Sequence, residues 1–488
     1  MQLKKGHIVE LDVTKYAFEG KGLSKVNFDK LQAGEKEVQG DGENNFVIFV
    51  NGSYPGDRVT VQLTKIKKSF AEAKIVEIIK PSVQRIQQNC IYFGVCGGCK
   101  QQDLDYKWQL IYKEEQVKDI FERIGGFQEF DVLPIEPSSR NFFYRNKMEF
   151  SFSDQKWLTV EQISSGEEFD RSFSLGLHIP GMYDKVLDIE YCLLQSEESN
   201  KILNFTRDFF KKKNSSIYTT KTHSGYLRNL VIKSSYTTAE LMVNLVTSEE
   251  NDDLLNKYSE GLLQFVPEIT TIINNISTKK ALIAVGDYEK VCYGPGYIYD
   301  HIGGYRFRVS ANSFFQTNTP QAEKLYSIAL NFAEADKNDI VYDLYSGAGT
   351  ISIFFSGHSK EVHAFETVEP AIRDAEENKK LNSVDNVFFY QADLNKSILE
   401  VIKFSAIPSP DIVILDPPRS GIHNIIVNDL AELRPEKIVY ISCNPSTQAR
   451  DIKLLAEKGY ELTKIQSVDM FPHTYHIENV ALLKVVRK

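Results

Sequence analysis

After Tyr305 five short apolar runs, "DIVYDL", "EVHAFE", "VFFYQAD", "DIVILD" and "KIVYIS", alternate with helical stretches such as "PAIRDAEENKKLN". That alternation leaves few folds open. Runs apolar on both faces need cover on both sides, and parallel neighbours need a crossover helix between them, so the pattern predicts a doubly wound parallel sheet. Two later runs, "LTKIQSVD" and "VALLKVV", separated by "MFPHTYHIEN", predict a closing hairpin and a total of seven strands.

The rest of the 488 residues read differently, and a chain of this length exceeds one ordinary core. Residues 1–80 carry alternating short strands ("HIVELDV", "NFVIFV", "DRVTVQLTKI", "AEAKIVEII") around a polar Gly-rich loop, "QAGEKEVQGDGENN", which predicts a small OB-like β-barrel. "PSVQRIQQ" reads as a linker. Leu104, Trp108, Ile111, Val117, Ile120, Phe121 and Ile124 fall at helical spacing before Gly125 and Gly126, so an amphipathic helix is expected there. Mixed α/β patterning follows to about residue 300. Three domains are therefore expected: 1–80, 81–300 and 301–488.

No run of about 18 apolar residues occurs, and the start "MQLKKGHIVELD" has no apolar core after its lysines; a soluble, cytoplasmic protein is expected, with no membrane partner. A formal net charge of -9 opposes indiscriminate binding to a polyanion. Local patches run against it. Gly56 to Lys80 holds six basic and three acidic residues, and "RNFFYRNK" interleaves Arg140, Arg145 and Lys147 with three aromatics, the pattern a single-strand stacking platform needs.

The chemistry-bearing residues lie at strand ends. "VYDLYSGAGT" runs from Asp343 through Gly347 and Gly349 into a helix, where glycines let a ligand approach the main chain. Glu366, 23 residues beyond Asp343 at the end of the next strand, suits an acceptor for ribose hydroxyls. In "DPPRSG", Pro417 and Pro418 stop the strand and hold Asp416 in the cleft, and Arg419, where an aromatic would favour methylation of a base amino group, argues against that chemistry. Cys443, in "YISCNPST", ends the fifth strand at the same edge; lone cysteines are usually buried fillers, but this position favours a nucleophile. Glu478 could supply a base there. A seven-strand sheet with a terminal hairpin suits an S-adenosylmethionine (SAM) methyltransferase better than a dinucleotide dehydrogenase. Separately, Cys90, Cys96 and Cys99 form a C-x5-C-x2-C array that reads as metal ligands, with Cys192 or Cys292 as the fourth; spacing alone fits zinc or an iron–sulfur cluster.

Taken together, these motifs resemble the RNA uracil-5-methyltransferases, in the branch with an N-terminal TRAM domain and a 4Fe–4S cluster. "GSYPGDRVTV" and "AEAKIVEIIKPSVQR" are similar to TRAM; "CGGC" with the later "DIEYC" resembles the cluster motif; "NSFFQTN", "DLYSGAG", "DPPRSG", "YISCNPST" and "DMFPHTYHIENVALL" follow the catalytic domain's order. The resemblance implies a TRAM barrel, a central α/β domain with the cluster on Cys90, Cys96, Cys99 and Cys192, and a C-terminal Rossmann-like SAM domain. It implies SAM contacts from Gln316, Tyr345, Glu366 and Asp416, with Asp343 and Gly347 in the same cofactor loop. It further implies Cys443 as nucleophile, Glu478 as base, and Phe314 and Arg145 on the RNA. The expected substrate is a uridine of 23S ribosomal RNA, with the transfer RNA T-loop as the alternative, methylated by a monomer. The contrasting expectation is a metal-stabilised RNA-binding protein without activity.

Overall fold

The computed structural model describes residues 4–33 and 45–486, which divide into two compact units. Most of the Gly-rich loop expected between the early strands lies outside the described residues. The first unit takes residues 1–94, 98–119 and 471–477; the second takes 95–97, 120–470 and 478–488. Residues 471–477, expected within the catalytic domain, thus belong to the first unit, although Glu478 directly after them belongs to the second.

In the first unit six strands form one sheet, two more than the sequence pattern indicated: Lys15–Ala17 and Lys21–Asn27 are short or Gly-containing and carry little apolar signal. Strand Arg58–Ile66 alternates, with Val59, Val61 and Leu63 inward, and these pack with Val9, Val26, Ile48, Val50 and Ala71 in one core. "PSVQRIQQ" is not a free linker. Buried Asp57 accepts bonds from the Tyr54 and Ser82 main-chain N–H groups (2.7 and 2.8 Å) and pairs with Arg85 at 2.7 Å, while Arg85 also pairs with Asp103. The expected helix is present over Tyr106–Ile120.

The second unit holds two eight-stranded sheets and the hairpin Tyr297–Ile302/Tyr305–Ser310. One sheet is mixed and built from strands between Lys147 and Tyr293. The other orders its strands as Val387–Gln391, Glu361–Glu366, Ile340–Leu344, Ile412–Leu415, Lys437–Ser442, Glu478–Val485, Tyr460–Val468 and Asp131–Glu136. The first five are parallel, and Glu478–Val485 runs antiparallel to both neighbours. The expected count of seven is corrected to eight. Asp131–Glu136 adds parallel to Tyr460–Val468; its proline and alternating polarity hid it among central-region residues. Ile340–Leu344 and Ile412–Leu415 are buried throughout, as strands covered on both faces must be. From Ile340–Leu344 the chain winds outward through two strands, then returns to its other side with Ile412–Leu415, so a crevice opens beyond their carboxyl ends.

Candidate active site

Five segments deliver side chains to that carboxyl edge. Asp343 and Tyr345 end the central strand, Glu366 ends the next, Asp416 follows Leu415 and Cys443 follows Ser442. Glu478 arrives from the opposite direction: antiparallel pairing of Ser442 with Asn479 sets the first residue of the last strand beside the end of the fifth. Thus Cys443 and Glu478, far apart in sequence, face one another across one sheet register.

The cofactor loop is shaped by its main chain. Tyr345 has φ 73, Gly347 φ 54 and Gly349 φ 77, a run of left-handed conformations that turns the strand abruptly into helix Thr350–Ser356. A Cβ on Gly349 would lie 2.7 Å from Phe389 Cζ and 3.0 Å from Ala375 Cβ, whereas one on Gly347 would meet nothing within 4 Å. Gly349 therefore answers to packing and Gly347 faces open space. Glu366 braces this loop, accepting from the N–H groups of Gly347 (2.9 Å), Thr367 (2.7 Å) and Val368 (2.8 Å). Asp343 accepts from Ser352 Oγ at 2.5 Å, but its Oδ1 and the nearby Ser346 Oγ are buried with no hydrogen-bond partner. Gln316 bonds the hydroxyl of Tyr326, which also meets Thr350 Oγ1 at 3.1 Å.

Electrostatics tie these groups together. Loss of solvation lifts Asp343 to about 7, with Glu366's charge adding and the Ser352 bond opposing. Loss of solvation, with Asp343 adding, lifts Asp416 to about 7. Burial and Asp416 lift Glu478 to about 8 while Arg419 pulls it down. Cys443 is pushed up to about 11 by loss of solvation and Glu478, against a hydrogen bond from Arg419. The crevice holds these groups away from water, and Arg419 is the cation that opposes the shifts of Glu478 and Cys443. The crevice's orphaned acceptors and open glycine fit a cationic ligand carrying hydroxyl and ammonium donors, as SAM does.

Arg419 is the residue the sequence undervalued, having served only to argue against amino methylation. Its carbonyl accepts from Asn444 Nδ2 (3.1 Å) and Thr447 Oγ1 (3.2 Å), which locks "DPPRSG" onto "NPST" and brings the guanidinium to the sulfur. Two prolines at a strand end, followed at once by a charged residue, were the available signal. Phe314 stands 71% exposed two residues before Gln316. Arg145 lies on a loop whose next residue, Asn146, bonds the Gln316 carbonyl at 2.9 Å; its own Nε is turned to the Lys147 carbonyl at 3.0 Å.

None of the six cysteines, the expected metal ligands among them, is in a disulfide. Cys90 and Cys99 fall in the first unit and Cys96 and Cys192 in the second. Gln102 links the first two, accepting from Cys90 N–H at 3.1 Å and donating to Cys99 Sγ at 3.4 Å; Asn200 accepts from Cys192 N–H at 2.8 Å. Among the described residues no group of three or more His, Cys, Asp or Glu side chains is gathered as a metal site. No described helix is long and apolar enough to cross a membrane.

A doubly wound sheet with a glycine loop at its carboxyl edge and a terminal antiparallel strand is the fold of a SAM-dependent methyltransferase, here joined to a TRAM domain matched over residues 2–76. Residues 234–486 match the family described as tRNA (Uracil-5-)-methyltransferase, and the chain belongs to that family. It is 41% identical over 484 residues to an uncharacterized RNA methyltransferase of Chlorobaculum tepidum, covering 99% of this chain and 97% of that protein. A second uncharacterized RNA methyltransferase, from Bacteroides thetaiotaomicron, is 40% identical over 474 residues, covering 96% and 100%. Among solved structures, Pyrococcus abyssi tRNA (uracil-54, C5)-methyltransferase in complex with S-adenosyl-L-homocysteine superimposes with a TM-score of 0.72 at 28% identity, covering 97% of this chain and 100% of that one. The protein is an enzyme, a SAM-dependent RNA (uracil-C5)-methyltransferase.

Proposed function

We propose that the enzyme methylates carbon 5 of a specific uridine through a covalent adduct between Cys443 and carbon 6. The observation that carries this reading is the pairing of Ser442 with Asn479, which sets thiol against carboxyl with Arg419 on the sulfur. Carbon 5 of uracil is a poor nucleophile until C6 is attacked. Cys443 loses its proton to the ionised carboxylate of Asp416, which leaves Glu478 as the later base, and the thiolate forms the S–C6 bond. The C5–C6 electron pair is thereby released toward C5 and O4. SAM supplies the methyl group as an electrophile and departs as S-adenosylhomocysteine. Glu478 then removes the C5 proton, and the pair left behind expels Cys443 and restores the double bond. Asp343, Tyr345, Gly347, Glu366, Asp416 and Gln316 hold SAM, and Phe314 and Arg145 meet the RNA, whose target must be unstacked to reach the thiol.

In this reading residues 1–80 grip RNA, 81–300 support it and 301–488 catalyse, in a monomer. The target is a 23S ribosomal RNA uridine, as the motif set suggests. A transfer RNA uridine is the second reading, favoured by the likeness to the Pyrococcus enzyme. Mapping 5-methyluridine in RNA from cells with and without the protein separates them. Conversion by Cys443→Ala would remove the covalent route.

Cys90, Cys96, Cys99 and Cys192 are proposed to hold a 4Fe–4S cluster, for which four cysteine thiolates are the right donor type. Its role is structural, since the transfer moves no net electrons to the protein. Anaerobically purified protein should be brown with about four irons per chain; colourless protein with one zinc would defeat this assignment.

A further inference from the structure

We infer that Lys233 is a positioning residue for the reaction: its buried ammonium fixes the turn from which Phe314 projects, and so sets the base-handling side chain relative to Cys443. This rests on the reading of function above.

Lys233 is 3% exposed, near the end of strand Leu227–Ser234. Its Nζ donates to two main-chain carbonyls, Ser310 (2.7 Å) and Ser313 (2.9 Å). Those carbonyls close a turn that is also bonded internally, Ser310 N–H to Ser313 Oγ at 2.9 Å, and Asn275 Nδ2 reaches Asn312 Oδ1 at 2.6 Å. On the far side of Phe314, Asn146 Nδ2 holds the Gln316 carbonyl (2.9 Å) and Thr319 Oγ1 (2.8 Å), and its N–H holds the Thr317 carbonyl (2.9 Å). Between these anchors the two phenylalanines divide. Phe315 packs on the cluster of Met242, Ile273, Ile298, Val309 and Ala311, while Phe314 stands in solvent.

A lysine buried among apolar strands is costly, and a methionine would fill the same space. The amine is therefore kept for its donors. Loss of solvation and Lys147 push it down to about 7 against the pull of Glu289 and Asp374, but a neutral amine still has two N–H groups for two carbonyls. The anchor holds in either state. An exposed aromatic on a clamped loop loses little freedom when a base stacks on it, and small misplacements of a reacting group are expensive in rate. The two anchors should separate functionally: Lys233 governs presentation of Phe314, and Asn146 governs Gln316 and the cofactor.

The test compares wild type, Lys233→Met and Lys233→Gln, using in vitro transcripts of 23S ribosomal RNA and transfer RNA that carry 5-fluorouridine. Fluorine at C5 blocks the last proton removal, so S–C6 and C5–methyl bonds form and the adduct persists. Lys233→Met is expected to bind S-adenosylhomocysteine within about twofold of wild type yet form adduct at least about tenfold more slowly, because a small displacement of a positioned group costs that much. Lys233→Gln, with one amide donor group, should fall between, and it carries the comparison should Lys233→Met not fold. Adduct formation at the wild-type rate in a folded variant would overturn the inference alone. So would a parallel loss of S-adenosylhomocysteine binding and trapping, the mark of a merely structural role. No adduct even with wild type would overturn the covalent reading and this inference with it.

Discussion

Glu478→Gln keeps the side chain's shape and removes its charge, which tests at once how the crevice treats acids and what the acid does. In the folded protein burial and Asp416 lift Glu478 from 4.5 to about 8, net of the pull from Arg419. A carboxyl raised in this way contributes stability that is complete below its unfolded value and is lost as pH rises through its folded value. Wild type should therefore lose stability at this position between about pH 4 and about pH 9, and the loss integrates to about 3–5 kcal/mol. Glutamine has no proton to lose, so the variant gains on wild type by that amount as pH rises. Urea unfolding at about pH 5 and about pH 9 measures the difference. In catalysis the variant retains Cys443 and Arg419 but no proton acceptor for C5, so turnover should fall roughly a hundred- to ten-thousand-fold, the usual worth of a general base. Adduct with unmodified RNA and SAM should accumulate and map to Cys443. A stability difference that does not change with pH would refute the buried-acid argument; loss of turnover without adduct would refute the late role of Glu478.

Glu366→Ala removes the acceptor for the Gly347 N–H of the cofactor loop and for those of Thr367 and Val368, and should weaken SAM binding by about 1.5–3 kcal/mol in calorimetry while leaving RNA binding nearly intact. Gly349→Ala must place a Cβ 2.7 Å from Phe389 in a left-handed conformation, so SAM affinity and thermal stability should both drop, by about 1–3 kcal/mol. Asp57→Ala leaves partly buried Arg85 without one carboxylate partner and two main-chain donors unmet, and should cost about 3–5 kcal/mol of stability, read by denaturant unfolding of the first unit.

What the sequence by itself determined is local. Apolar runs alternating with helices dictated a doubly wound sheet, because strands buried on both faces admit no other cover. Glycines after Asp343 and prolines after Asp416 marked strand ends, and ligands gather at such ends. The placement of Cys443, Glu366 and Asp416 at the ends of strands was legible from that pattern. Glu478 was read as a candidate base at the same edge, but the register that sets it there was not legible, because hydrogen-bond register between distant segments leaves no periodic trace in either one. Only the tertiary structure set Glu478 beside Cys443, by pairing Ser442 with Asn479; only it recruited Asp131–Glu136 as an eighth strand and assigned residues 471–477 to the first unit. Arg419, Asn146 and Lys233 belong to the same class. Each acts by donating to, or being held by, a residue far along the chain, and a polar side chain declares such a partner only when folding has removed the water that would otherwise have served.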